Sequence, residues 1–123
     1  ETINLCIYGK DYFGGEIDKL QSRAVNQRHI KIVRVNDLKE LARCQAIFFS
    51  KSINNHLSTI LGDLQNRPIL TLADNPHALS EGIVINMNLS NEKIVFEINL
   101  GAARKSGLDI SSKLLQLAVK VHQ

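Results

Sequence analysis

The chain has 123 residues, 44% hydrophobic and 22% charged, a balance that suits one globular domain with its own buried core. Fifteen Lys and Arg side chains against twelve Asp and Glu leave a net charge of +3 that is spread along the sequence, which gives no support to nucleic-acid or anionic-membrane binding. No apolar stretch approaches the roughly 20 residues that cross a bilayer, so no direct membrane insertion is predicted.

The first part of the chain alternates between strand and helix patterns. Residues 3–8 form an apolar run that predicts a strand, and a bend at Gly14 and Gly15 follows. An apolar stripe at helical spacing then predicts a helix through Ile17, Leu20 and Ala24. Residues 29–35 predict a second strand with mixed burial.

The middle of the chain contains two more predicted strands. Asn36 or Asp37 can cap a short helix that runs through Ala42. Residues 46–49, AIFF, are apolar throughout and predict a strand buried on both faces. Residues 69–73 predict the next buried strand. Between them an apolar stripe, with Asn54 or Asn55 as its cap and Arg67-Pro68 as its end, predicts a helix through Leu57, Ile60, Leu61 and Leu64.

The last third of the chain has a different hydrophobic pattern. After one helical turn that begins near Pro76, residues 83–89 and 94–98 alternate between apolar and polar residues, which predicts an antiparallel hairpin with one buried and one polar face. A short helix ended by Gly107 should follow. A longer final helix, beginning near Asp109 or Ser111, is predicted from the apolar stripe Leu114, Leu117, Ala118 and Val121.

These elements predict the fold class. Strands that alternate with helices and are followed by a hairpin favour a single-domain α/β sandwich. We expect a mixed, mainly parallel sheet with an antiparallel hairpin in the C-terminal part, at the edge of the sheet, and helices on both faces.

Motifs for catalysis are absent from the sequence. Gly9 and Gly14 have the spacing of a phosphate-binding loop, but Glu16 stands near the position of its Lys, and a carboxylate there repels phosphate. The four histidines lie in separate elements, so we interpret them as ordinary surface or loop residues. No serine stands in a nucleophile-elbow setting. The sequence therefore predicts a binding or regulatory module without a cofactor, rather than an enzyme.

The two cysteines, Cys6 and Cys44, lie in the first predicted strand and just before the third. An even count is compatible with one bridge, a free pair or two buried thiols, and the residues by themselves leave these alternatives open. Neither a C-x-x-C motif nor a cluster of Cys and His occurs, so no metal site is expected.

Six segments together resemble the YfiR/HmsC-like family of small periplasmic regulators. They are LCIYG (5–9), CQAIFFS (44–50), ILTLAD (69–74), FEIN (96–99), AAR (102–104) and GLDISSKLLQLA (107–118). Members of that family carry a helical stretch ahead of the first strand. We therefore expect a single YfiR-like domain over residues 1–123 in which that stretch, and any signal peptide, has been removed.

The resemblance implies a periplasmic inhibitor that does no chemistry itself. Its implied partner is the periplasmic sensor region of an inner-membrane diguanylate cyclase, and its binding would hold the cyclase inactive. Cyclic di-GMP and biofilm formation would then fall. A second copy of the chain, in a homodimer, is a further candidate partner.

The resemblance also implies a pairing for the cysteines. Cys6 and Cys44 match the positions of the family's common disulfide, which an oxidising periplasm would keep formed. Some members carry a second pair near residues 78–87, where this sequence has no cysteine, so redox control through that pair is not carried over. Reduction of the first pair would weaken the domain and its inhibition of the cyclase.

Partner contact is expected at the end of the predicted hairpin and just beyond it, at Glu97, Asn99, Leu100, Arg104 and Leu108. The competing interpretation is that Asn99 only caps a helix and that Leu108 only packs. An apolar exposed patch near these residues would favour the inhibitor hypothesis.

Two other functions compete with the inhibitor. One is a small-molecule-sensing α/β domain with no cyclase partner, whose pocket would lie at the carboxyl ends of the parallel strands, near Gly9, Ser50 and Asp74. The other is a hydrolase with an unrecognised site. A pocket with convergent polar groups at those strand ends would favour the sensing domain.

Overall fold

The computed structural model describes residues 2–10, 24–25, 28–50, 57–64, 67–75, 78–90, 93–110 and 112–123. Its strands are β1 (Thr2–Tyr8), β2 (Ala24–Val25), β3 (Arg28–Val35), β4 (Ala46–Phe49), β5 (Leu70–Ala73), β6 (Ile85–Ser90), β7 (Lys93–Asn99) and β8 (Lys120–His122). Its helices are a 3₁₀ helix (Leu38–Arg43), α1 (Leu57–Asp63), α2 (Ala78–Glu81), α3 (Leu100–Lys105) and α4 (Ser112–Leu117).

All the described strands belong to one mixed sheet in the order β2-β3-β1-β4-β5-β6-β7-β8. Strands β3, β1, β4, β5 and β6 run parallel, whereas β6 and β7 form the antiparallel hairpin. In the register, Cys6 lies between Val33 of β3 and Ile47 of β4. The predicted α/β class, with a mainly parallel sheet and a C-terminal hairpin, is confirmed.

Each face of the sheet has its own packing cluster, because successive side chains of a strand point to opposite faces. The 3₁₀ helix and α1 cover the first cluster, which contains Cys6, Val35, Leu41, Cys44, Ile47, Phe49, Leu57, Ile60, Ile69, Ala73 and Ile83. The second cluster lies under α3 and α4 and is centred on Val84, Ile85, Ile98 and Ala103. The expected helices on both faces are therefore present.

The short helix after β3 begins as the sequence predicts. Asp37 is its N-cap, and its carboxylate accepts a hydrogen bond of 3.0 Å from the backbone N–H of Lys39. This bond satisfies one of the donors that a helix leaves unpaired in its first turn. Leu41, on the opposite side of the helix from solvent, is buried in the first cluster.

Two features of the strands differ from expectation. Ala24, predicted within a helical stripe, lies in β2 and pairs with His29, while Ile17 and Leu20 fall outside the described residues. Asn86, predicted on a polar face of the hairpin, is buried, and its side-chain oxygen accepts a 3.0 Å hydrogen bond from the backbone N–H of Asn75. That hydrogen bond offsets the free-energy cost of burying the amide.

The C-terminal helix is shorter than predicted. It ends at Leu117, which is 68% exposed, and Val119 donates its backbone N–H to the carbonyl of Phe96 in β7 at 2.9 Å. Val121, expected on the apolar stripe of that helix, instead pairs with Ile98 as part of β8. The antiparallel pair is therefore not the edge of the sheet, because β8 adds a parallel strand outside it.

Helix α3 ends in a Schellman motif at Gly107, as the glycine predicts. Gly107 adopts a φ of +76°, the left-handed conformation that favours glycine. The backbone N–H groups of Gly107 and Leu108 donate to the carbonyls of Arg104 and Ala103 at 3.1 and 2.9 Å. Leu108 and Ala103 also share the second cluster, which is the apolar contact typical of this motif.

Replacing Gly107 by Ala should destabilise the protein by about 1–2 kcal/mol, because an L-residue is strained in the left-handed region. Gly62→Ala is the matched control, since Gly62 lies in α1 and a Cβ there would meet nothing within 4 Å. That control should be neutral or stabilising by up to about 1 kcal/mol. Urea denaturation of both variants measures the difference, and equal midpoints would contradict the assigned cap.

Candidate functional site

The first candidate feature is a disulfide between Cys6 and Cys44, which lie 38 residues apart in the sequence. Cys6 is in β1, and Cys44 is the C-cap of the 3₁₀ helix, two residues before the start of β4. Their Cα atoms are 6.0 Å apart, within the range that a disulfide spans without displacing the backbone. The bond therefore ties the end of a short helix to the middle of the sheet.

A set of polar contacts holds the same turn against β1. The backbone N–H of Asn4 donates to the side-chain oxygen of Gln45 at 2.7 Å, and the backbone N–H of Gln45 donates to the carbonyl of Asn4 at 3.1 Å. The side chains of Asn4 and Gln45 each donate to the carbonyl of Arg43 at 3.3 Å. These groups are exposed, so the disulfide is the buried and covalent part of the attachment.

The disulfide lies in an apolar environment. Cys6 is 2% exposed and Cys44 is 3% exposed, and both belong to the first cluster with Leu41 and Phe49. Phe49 makes an edge-to-face contact with Tyr8, with ring centroids 6.2 Å apart. Since the sulfur atoms are shielded from solvent, a reductant reaches them only when this part of the core opens.

Asn99 and Leu108, two of the predicted contact residues, stabilise the fold. Asn99 is the N-cap of α3, where its side-chain oxygen accepts a 3.0 Å hydrogen bond from the backbone N–H of Ala102. Its own backbone N–H donates to the carbonyl of Val84 at 2.7 Å. Leu108 packs in the second cluster. The competing interpretation, a cap and a packing residue, describes what both side chains do in the structure.

Glu97 connects β7 to the last strand. Its carboxylate oxygen Oε1 lies 2.8 Å from Nε2 of His122 in β8. The sequence predicts an ordinary surface or loop position for His122, and no local pattern reveals a partner 25 positions away. The remaining predicted contacts, Leu100 and Arg104, lie on α3, where Leu100 is half-buried and Arg104 is exposed.

A larger groove, of about 570 Å³, lies between α1 and α2 on one side and α3 on the other. Its polar lining includes Ser80, Glu81 and Lys105. The carboxylate oxygen Oε2 of Glu81 is buried and has no hydrogen-bond partner among the described residues. This groove lies beside the amino end of β5, whereas the sensing pocket is predicted at the carboxyl ends of the parallel strands.

A smaller groove, of about 330 Å³, separates the 3₁₀ helix from α1. Neither groove includes Gly9, Ser50 or Asp74, the residues of the predicted sensing pocket. Ser50 is buried, and its backbone N–H donates to the carbonyl of Tyr8 at 3.0 Å. Ser50 therefore lies inside the fold, at the junction of β1 and β4.

Within the described part of the chain, no helix combines the length and the apolar content that crossing a bilayer requires. No group of three His, Cys, Asp or Glu side chains there is placed to hold a metal ion.

Residues 1–119 match the YfiR/HmsC-like family, and the chain belongs to that family. The resemblance seen in the sequence is thereby confirmed. Proteins of this family are periplasmic regulators. No curated protein matches the chain.

Two solved structures have a similar fold. The ABC domain from Streptococcus pneumonia in complex with L-Trp is 13% identical, with a TM-score of 0.66, over 98% of this chain and 55% of that chain. A conserved domain protein from Vibrio cholerae O1 biovar El Tor is 9% identical, with a TM-score of 0.62, over 98% of this chain and 54% of that chain. The chain thus spans about half the length of each structure, and at these identities the likeness concerns the fold.

Removing the disulfide with the double variant Cys6→Ala and Cys44→Ala should lower the free energy of unfolding by about 4 kcal/mol, because the bond closes a loop of 38 residues. The melting temperature should fall by roughly 15 °C. Scanning calorimetry with and without a phosphine reductant measures both effects. The reductant should destabilise only the wild-type chain, and an equal effect on the variant would contradict this assignment.

Proposed function

We propose that the chain is a periplasmic regulatory protein that binds the periplasmic sensor region of an inner-membrane diguanylate cyclase and holds the cyclase inactive. Inhibition lowers cyclic di-GMP in the cytoplasm and reduces biofilm formation. The observation that carries this proposal is the family match over residues 1–119. The buried disulfide supports it, because such bonds persist in oxidising compartments such as the periplasm.

Redox response is part of the proposal. The disulfide attaches the 3₁₀ helix to β1, and a helix of six residues has little stability of its own. Reduction therefore loosens this segment and lowers the stability of the domain. A weaker hold on the cyclase follows, and cyclic di-GMP rises in a reducing periplasm.

We propose that two of the five predicted residues, Leu100 and Arg104, contact the partner directly. Arg104 is exposed and Leu100 is half-buried, so both can reach a partner surface. Asn99 and Leu108 act indirectly, since they hold the two ends of α3, and Glu97 holds β8 through His122. An exposed guanidinium beside an aliphatic side chain is a common anchor at protein interfaces.

A binding experiment tests this function. The purified chain and the periplasmic region of a candidate cyclase should co-elute from a sizing column when oxidised, and less so after reduction. Arg104→Glu should weaken binding by about tenfold, because it replaces a cation of the contact by an anion. Lys31→Glu, an exposed charge reversal on β3, is the control and should bind like the wild type.

The same column distinguishes the other outcomes. Absence of a complex in both redox states would contradict the inhibitor function. Elution of the chain alone at twice its mass of 13.7 kDa would identify a homodimer. Equal binding by Arg104→Glu and Lys31→Glu would contradict the contact on α3 while leaving the inhibitor function standing.

The larger groove favours a second candidate function, a small-molecule-sensing domain. A volume of about 570 Å³ is in the range of small-ligand sites. Glu81 lines this groove and keeps a buried carboxylate oxygen without a hydrogen-bond partner in the described residues, and such an atom is costly until a donor reaches it. A small ligand with a cationic group would supply that donor.

Glu81→Gln separates this candidate from the first. Without ligand the variant should match the stability of the wild type to within about 1 kcal/mol, because the amide has nearly the same shape and the replaced carboxylate oxygen has no hydrogen-bond partner in the described residues. Polyamines and basic amino acids should raise the melting temperature of the wild type but not of Glu81→Gln. If none of them shifts the wild-type transition, a cation-sensing function is wrong.

A further inference from the structure

The smaller groove has a mainly apolar lining and shares Leu41 and Ile60 with the cluster that contains both cysteines. Its walls come from the 3₁₀ helix and α1, and its apolar residues are Leu38, Leu41, Ala42, Ile60 and Leu64. Its volume of about 330 Å³ can receive an apolar anchor side chain of a partner. Leu41 and Ile60 are themselves buried, so the floor of the groove is part of the first cluster.

Leu38 is an exposed apolar residue at the mouth of this groove. It is 47% exposed and is the first residue of the 3₁₀ helix. The cap bond from Lys39 to Asp37 fixes the helix start and thereby the position of Leu38. A leucine held in this way presents apolar area to solvent beside a concave apolar surface.

The rim of the groove carries an excess of positive charge. Lys39 and Arg67 lie on it with one carboxylate, that of Asp63. Within the described residues, neither cation has an ion pair with a carboxylate. An apolar side chain flanked by Asp or Glu therefore fits this groove better than a basic segment does.

The disulfide holds one wall of the groove. Cys44 caps the 3₁₀ helix and donates its backbone N–H to the carbonyl of Leu41 at 3.1 Å, and its bond to Cys6 anchors that helix end to β1. Leu41 contributes to both the groove and the cluster that contains the two cysteines. Breaking the bond frees the wall, because a 3₁₀ helix of six residues is marginal by itself.

The surface on α3 lacks this connection. Ala103 and Leu108 belong to the second cluster, which contains neither Cys6 nor Cys44. Since the two clusters lie on opposite faces of the sheet, loss of the disulfide acts first on the face that carries the smaller groove. A contact that responds directly to reduction belongs on that face.

We propose that this groove is a second docking surface, which receives an apolar side chain flanked by carboxylates from the periplasmic region of the cyclase, and that the Cys6–Cys44 bond keeps it in shape. The inference rests on the proposed inhibitor function and adds where the redox state acts. In the oxidised protein the groove is formed and the cyclase is held. In the reduced protein the 3₁₀ helix shifts, and this contact is lost.

The test measures binding of the full chain to the purified periplasmic region of the cyclase. Leu38→Glu should weaken binding of the oxidised protein by about tenfold or more, since it places a carboxylate at an apolar, cation-rimmed groove. Leu117→Glu is the matched control, because Leu117 is 68% exposed in α4, away from the groove, and should leave binding unchanged. Circular dichroism should show both variants folded, as both side chains are exposed.

A charge test and a redox test complete the experiment. Lys39→Glu combined with Arg67→Glu should weaken binding several-fold and should supply a readout even if Leu38→Glu were unstable. In the background of Cys6→Ala and Cys44→Ala, Leu38→Glu should cause little further loss, because the groove is already disordered there.

The possible failures differ from one another. If the wild-type chain does not bind the cyclase region, the inhibitor function and the groove proposal are both wrong. If the wild type binds and Leu38→Glu and the charge reversals bind equally well, only the groove proposal is overturned. An equal loss from Leu38→Glu with and without the disulfide would overturn the redox link of the groove.

Discussion

The disulfide between Cys6 and Cys44 is the constraint on which the first face of the molecule depends. It joins β1, which lies between β3 and β4, to the end of a 3₁₀ helix that has one buried leucine with which to hold itself in place. Because such a helix is marginal alone, its attachment comes from the bond and from the Asn4–Gln45 contacts beside it. Leu41, the buried residue of this helix, packs in the same cluster as the two cysteines.

The two faces of the sheet are stabilised by different means. The first face is held by a covalent bond and by apolar packing around it, so its integrity depends on the redox potential of the compartment. The second face is held by the Asn99 cap, the Gly107 motif and the packing of α3 and α4, none of which a reductant changes. A reductant therefore acts on the first face and leaves the interactions of the second face unchanged.

Local sequence signals were sufficient to predict most of the helices and strands. Asp37 and Gly107 predicted a helix start and a helix end because a cap carboxylate and a left-handed glycine act within one turn of the chain. The apolar runs that became β4 and β5 predicted strands buried on both faces. The predictions were wrong where a residue distant in the sequence determines the structure. Val121 pairs with Ile98 of β7 instead of extending the last helix, and the buried Asn86 accepts a hydrogen bond from Asn75.

By itself the sequence determined the α/β class, the order of most elements and, through its resemblance to the YfiR/HmsC-like family, the pairing of Cys6 with Cys44. Only the tertiary structure decided that Asn99 and Leu108 support α3, that Glu97 binds His122, and that a groove forms over Leu41 and Ile60, in the cluster that contains the disulfide. The reason is physical. Caps, turns and periodicity act between residues close in the chain, whereas grooves and cross-strand pairs form between residues that only the folded sheet brings together.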